Sequence, residues 1–80
     1  MERKEIISKI NDFLVDEFEI EEDVLNDDAR LKKDLGIDSL DIVDIIVMID
    51  KVFGIKVKTE ELAKLVTLSD LYSFIEEKTA

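Results

Sequence analysis

The sequence predicts an all-α protein, a small antiparallel four-helix bundle whose third helix is short. Three observations predict it. Apolar residues recur at helical spacing in separate stretches near the start, middle and end of the chain. Helix signals divide those stretches, with Asp38 and the Thr67/Asp70 pair as starts and Gly54 as a stop. There is no proline to break a helix, and no internal repeat or low-complexity segment. The chain is read as a single domain, 1–80. A domain this small buries only about 60% of the surface its unfolded chain exposes, which leaves room for a thin core and one surface site.

The first helix is carried by Ile6, Ile7, Ile10, Phe13 and Leu14, with Phe18 at its edge, while Glu2, Lys9, Asp12 and Asp16 take the other side. It runs from about Glu2 to Glu17, and its apolar stripe is core. From Glu17 to Ile37 the periodicity fails. Acidic residues (Glu19, Glu21, Glu22, Asp23, Asp27, Asp28) surround the isolated Ile20, Val24, Leu25, Leu31 and Leu35, which are expected to hold the loop down. A loop this long suggests function or a short helical turn, here near Glu21 to Leu25. A calcium-loop reading fails on spacing. The sixth position is Asp28 counted from Asp23 and Lys32 counted from Asp27, where an EF-hand needs Gly. The carboxylates are read as a solvated loop, and no metal ligand is assigned.

Asp38 precedes the next apolar run, where a short side-chain oxygen caps the orphan N–H groups of a first helical turn. Ser39 falls at the first helical position, with its hydroxyl outside the core and near the positive end of the dipole, where an attached anion is tolerated. Gly36 keeps the approach to that hydroxyl free of side-chain bulk. On these local features alone, an Asp-Ser pair opening a helix is usually only a cap.

A wheel count on the helix running to Phe53 puts Ile42, Ile46, Ile49 and Phe53 on the core side, flanked by Ile45 and Val43. Opposite them lie Leu40, Asp41, Asp44, Val47, Met48 and Lys51. A solvated face has no need of Leu40, Val47 and Met48. The stripe is therefore read as a docking surface on which apolar groups give contact and aspartates give steering. Scattered surface apolar residues are the plainer alternative.

Gly54 ends this helix in the left-handed conformation, with Ile55 placed for the accompanying apolar contact. After the extended Ile55-Lys56-Val57-Lys58, Thr59 and Glu60-Glu61-Leu62 suggest a short third helix to about Leu65, with Leu62, Ala63 and Leu65 or Val66 facing inward. Thr67 with Asp70 approximates a capping box. It opens a last helix in which Leu68, Leu71, Tyr72 and Ile75 share a side.

Composition narrows the function. With 11 Lys and Arg against 21 Asp and Glu, the net charge of −10 argues against nucleic acid and anionic membranes and for partners with basic patches. The chain has no Cys and no His, hence no disulfide, no ready thiolate and no side chain suited to proton transfer near neutral pH. Those absences argue against autonomous catalysis. The start of the chain lacks an apolar signal core, and no stretch approaches the ~20 apolar residues of a membrane span. A cytoplasmic monomer is expected.

The run Asp34-Leu35-Gly36-Ile37-Asp38-Ser39-Leu40-Asp41, continued by Ile42-Val43-Asp44 and closed by Phe53-Gly54-Ile55, resembles the modification site and second helix of the acyl carrier protein family. The resemblance covers nearly the whole chain and implies the acyl-carrier fold. It assigns to Ser39 a 4′-phosphopantetheine arm, moved from coenzyme A by a phosphopantetheinyl transferase (holo-carrier synthase), with Asp38 and Gly36 in support. Acyl groups would travel on the arm as thioesters, passed among acyltransferases, ketoacyl synthases and related enzymes. In this family the second helix is the one partners recognise, and Asp41 and Asp44 match its acidic positions. Lys51 and Val52 depart from the more acidic pattern towards its end, and Ile37 stands where a smaller residue is common. These departures lean towards a specialised carrier. If the cargo is fatty, Ile46, Ile49, Ile55, Leu62 and Leu65 would line a pocket for it, although plain core packing accounts for them as well. Fatty acid synthesis, or a polyketide or aryl-polyene pathway, is the favoured setting. An aminoacyl, D-alanyl or peptidyl carrier would use the same serine, and an unmodified acidic interaction module would not use it.

Overall fold

The computed structural model describes residues 1–80. Four helices follow one another as α1 (Arg3–Phe18), α2 (Ser39–Phe53), α3 (Thr59–Ala63) and α4 (Leu68–Lys78), and a single 3₁₀ turn at Glu22–Val24 lies in the long loop. The architecture is the expected all-α bundle with a short third helix, measuring 28 × 25 × 20 Å. α1 packs on α4, and α2 packs on α3.

The apolar stripes explain this pairing. Ile6, Ile10, Phe13 and Leu14 of α1 are buried in one core with Leu68, Leu71, Tyr72 and Ile75 of α4. Each fully buried aliphatic side chain contributes about 2 kcal/mol of transfer free energy. Polar contacts set the register at the edge of this core. Arg3 donates to Ser73 Oγ at 3.0 Å and to Glu76 Oε1 at 3.2 Å, and its guanidinium lies 5.9 Å from the centre of the Tyr72 ring. Tyr72 donates its hydroxyl proton to Asn11 Oδ1 at 2.6 Å, and burial raises its pKa.

The ends of the helices are set locally. Gly54 stops α2 at φ 70°, donating to Asp50 O at 2.8 Å. α1 ends on Glu19 at φ 56°, a left-handed residue that carries a side chain. α4 opens on a reciprocal cap in which Asp70 N–H donates to Thr67 Oγ1 (3.2 Å) and Thr67 N–H donates to Asp70 Oδ2 (3.1 Å). α3 ends at Ala63, two residues earlier than the sequence suggests, and Ala63 and Val66 are exposed. The chain leaves the helix there because the next residues are drawn into backbone pairing. Leu31 N–H donates to Val66 O at 2.8 Å and Leu68 N–H to Ala29 O at 2.9 Å, flanking an antiparallel bridge between Arg30 and Thr67.

That pairing stitches the long loop to the start of α4. Ala29, Leu31 and Ile37 are buried, and Ile20, Leu25 and Leu35 pack partly buried against the core. The loop therefore supplies part of the core. This cover rotates the buried face of α2 away from the expected one. Ile42, Ile45 and Ile49 are buried, whereas Ile46 and Phe53 are only half-buried and Val43 is 50% exposed. The shift is about 40° on a helical wheel at 100° per residue. Its cause is one-sided packing, with Leu31, Ile37, Leu62 and Leu65 gathered on the Ile45 side.

Leu14→Ala, at a fully buried position, should cost about 3 kcal/mol in urea unfolding. Acid sensitivity has two local sources. Backbone N–H groups hold two carboxyls below their ordinary values: Lys58 for Glu61, with help from Lys78, and Thr67 then Val66 for Asp70. Because the folded pKa is the lower one, their stabilisation is complete above the ordinary values of 4.5 and 3.8 and is lost as pH falls through the folded values. The urea midpoint should therefore fall with pH below about 4. Asp70→Asn, which keeps an acceptor oxygen but does not titrate, should flatten that slope.

Candidate functional site

The chain enters α2 through a built turn. Arg30 N–H donates to Asp34 Oδ2 at 2.8 Å, and Asp34 and Leu35 donate to Arg30 O at 2.9 and 3.0 Å. Gly36 then reverses direction at φ 69°, a conformation that strains any L side chain. Ile37 follows, buried, with its N–H donating to Leu31 O at 2.9 Å. Gly36 was expected to clear space for Ser39, but its first requirement is this backbone angle. The surroundings are open as well, since a Cβ on Gly36 would meet nothing within 4 Å.

Asp38 is the N-cap. Its Oδ1 accepts from Leu40 N–H and Asp41 N–H, both at 3.0 Å, and Asp41 Oδ2 accepts from Asp38 N–H at 3.2 Å. Ser39 stands at the first helical position between these two aspartates, exposed to solvent. The caps therefore occupy the second and third N–H groups of α2. An anion on Ser39 would benefit from the helix dipole but would not find those two donors free.

Ser39 is distinguished from the other hydroxyls by its freedom together with its position. Of the seven Ser and Thr residues, Thr67 caps α4, Ser69 and Ser73 accept from Arg3, and Thr79 donates to Ile75 O. Ser8 lies within α1, away from its ends, and Thr59 opens a helix of only five residues. Ser39 alone begins a long helix behind a complete reciprocal cap.

The stripe beside it is partly as expected in its placement. Leu40 is 76% exposed and Val47 53%, Asp44 and Lys51 are exposed, and Val43 joins them. Asp41 is half-buried and engaged in the cap, and Met48 is half-buried against the core. A small, partly open apolar cavity of about 10 Å³ lies between α2, α3, α4 and the loop, lined by Leu31, Ile37, Ile42, Ile45, Leu62, Leu65 and Leu71 with Lys32. Of the five residues expected to line a pocket, Leu62 and Leu65 do so. Ile49 is fully buried in the central core, and Ile46 and Ile55 lie outside the lining, because the rotation of α2 puts Ile45 there instead. The loop contributors Leu31 and Ile37 were legible only as isolated apolar residues. No grouping of three or more metal-ligating side chains occurs, and no helix is long and apolar enough to cross a membrane.

A four-helix domain that offers an open serine at a capped helix start is compatible with the class of carrier modules that present a prosthetic group to other proteins. Comparison with known proteins agrees. The family described as "Phosphopantetheine attachment site" matches residues 8–75. Proteins named acyl carrier protein are similar over almost their whole length. That of Thermotoga maritima is 38% identical over 76 residues, covering 95% of this chain and 94% of the relative. That of Lactobacillus acidophilus is 33% identical over 75 residues, covering 94% of each, and that of Rubrobacter xylanophilus is 31% identical over 77 residues, covering 96% and 95%. The chain belongs to the acyl carrier protein family, and it is a non-catalytic carrier.

Asp38→Ala should destabilise the domain by about 1 kcal/mol in thermal or urea unfolding, whereas Asp38→Ser, which retains a capping oxygen, should cost only a few tenths.

Proposed function

We propose that Ser39 is the residue that carries 4′-phosphopantetheine, and that the domain delivers acyl groups to the enzymes of fatty acid synthesis or of a related polyketide or aryl-polyene pathway. The observation that supports it is the Ser39 hydroxyl itself: unhindered, uncommitted to any hydrogen bond, and held on a rigid helix start. The surroundings fit the group, because open space at Gly36 leaves room for a bulky phosphodiester and the dipole of α2 offsets part of its charge. When attached, the group supplies a terminal thiol on a long flexible arm, the nucleophile that a chain without cysteine lacks.

The residues of the chain define the division of labour. Ser39 Oγ is the atom that would bond to phosphorus when the arm is installed, as the pyrophosphate P–O bond of coenzyme A breaks and 3′,5′-ADP leaves, and the serine proton would pass to a base outside this chain. This chain has no histidine, and the carboxylates next to Ser39 are already accepting backbone hydrogen bonds. Asp38 and Asp41 hold the attachment point still, so the arm moves while its root does not. Leu40, Asp44, Val47 and Lys51, with the half-buried Asp41 and Met48, form the surface read by basic partners, where apolar contact gives affinity and charge gives orientation. A fatty cargo would lodge in the interior at the small cavity lined by Leu62 and Leu65. The cavity there holds no more than about one water-sized volume, so sheltering a chain requires α3 to move away from α2.

Incubation with coenzyme A, Mg²⁺ and a broad-specificity phosphopantetheinyl transferase should add one phosphopantetheine to the wild type by intact mass and none to Ser39→Ala. A gain on both, or on neither while the wild type is folded, would refute the assignment. Loading of D-alanine or another amino acid, but no fatty acyl group, by the native ligase would move the chain to an aminoacyl pathway.

A further inference from the structure

The docking surface assigned so far lies on α2 alone, but the relief of the molecule continues past it. Three depressions of about 280, 190 and 230 Å³ follow one another along the seam between α1 and α2. The first and second share Glu17, Phe18 and Asp44, and the second and third share Glu17 and Met48. They form one groove. Its floor is apolar in the second and third depressions, made by Phe18, Val47, Met48 and Val52, and more polar in the first. Its walls are acidic on both sides, with Asp12, Asp16, Glu17 and Glu19 from α1 and its cap, and Asp41 and Asp44 from α2.

The wall charges are not used by the fold. The chain forms three ion pairs, Arg3–Glu76, Lys56–Asp50 and Lys78–Glu61, none of them in this groove. Of the six wall carboxylates, only Asp41 accepts a hydrogen bond from within the chain. Lys9, at one end, is the single cation along the groove. Unpaired like charges facing each other across an apolar floor weaken the compact state, so neither wall is accounted for by stability.

We infer that the groove is the seat of a basic amphipathic helix supplied by an enzyme that acts on the carrier, and that α1 forms the second wall of the docking surface. This deepens the carrier reading and rests on it. Several features of the groove select that occupant. Along α1 and α2 the backbone groups are internally bonded, and the loop end beside Ile20, Leu35 and Gly36 contains no strand, so there is no sheet edge for an extended strand to join and only side-chain contact is on offer. An apolar stripe would meet the floor while Lys and Arg on either flank meet the two acidic walls. From Asp41 to Val52 the groove runs about 16 Å along α2, the length of three helical turns. The end at Gly36, Ile37 and Asp41 adjoins Ser39 in the chain, so a helix seated there brings the body of its enzyme next to the attachment hydroxyl.

The transferase reaction gives a kinetic test. Rates of Ser39 loading are compared for the wild type, a groove variant (Asp12→Asn, Asp16→Asn, Glu17→Gln) and a control (Asp23→Asn, Glu60→Gln, Glu77→Gln). Each triple variant removes three negative charges, and the control positions are exposed and lie off the groove. The groove variant should raise KM about tenfold with kcat unchanged, and the control should stay within about twofold. Equal rises in the two variants would show steering by net charge alone and overturn the proposal, as would an unchanged KM in the groove variant. A wild type that is not loaded at all would overturn the Ser39 assignment instead.

A second measurement tests the occupant on the unmodified chain, independently of loading. It uses a Leu/Lys peptide of about fourteen residues with Leu at i, i+3, i+4 and i+7, and a peptide of the same composition with that spacing scrambled. The amphipathic peptide should bind at least about tenfold more tightly and shift backbone amide resonances on both α1 and α2. Equal binding of the two peptides, or shifts confined to α2, would overturn the groove.

Discussion

Burial of Ile37 two residues before an exposed serine is the constraint on which this end of the molecule depends. Ile37 is held in the core by its side chain and tied to Leu31 through its backbone, and within two residues the chain must emerge and begin a helix. Gly36 supplies the reversal on one side and the Asp38/Asp41 cap supplies the helix start on the other. A serine in a mobile loop would be just as exposed. What this arrangement adds is a fixed root, so that the hydroxyl keeps one position relative to the helix.

The same economy governs the loop. Eighty residues provide few helical faces, and the long segment between α1 and α2 is drawn into the interior through Ala29, Leu31 and Ile37. Its backbone pairing with Val66 and Leu68 satisfies polar groups that burial would otherwise leave orphaned, and no buried side-chain polar atom lacks a partner. Shortening of α3 is the counterpart of that pairing. Val66 and Thr67 serve the bridge to the loop and are not available to continue a helix. The small cavity lies where loop, α2, α3 and α4 meet, at a boundary packed by side chains from unlike elements.

Charge does little to hold this fold together. Its three ion pairs are exposed to solvent in part or in whole, where screening leaves such pairs little to contribute. The stabilising polar contacts are instead local ones at helix starts: Asp38 with Asp41, Thr67 with Asp70, and Glu61 with the backbone of Lys58. Most of the acidic excess is therefore free to act outward. A net charge of −10 borne by so small a domain opposes compaction and favours encounters with basic surfaces, which suits a protein that must be handed from one enzyme to the next.

Local chemistry made much of this legible. The four helices, the caps at Asp38 and Thr67, the stop at Gly54 and the special position of Ser39 all depend on interactions within a few residues, and the sequence by itself determined them. Tertiary structure decided which face of α2 is buried. Ile42, Ile45, Ile46, Ile49 and Phe53 lie on one broad apolar arc, and only the placement of Leu31, Ile37 and α3 selects Ile45 over Ile46 and leaves Val43 in solvent. The lining of the cavity and the groove along α1 were hidden for the same reason. Both belong to surfaces made by two or more elements, and a hydrophobic period records how apolar a face is without recording which neighbour covers it.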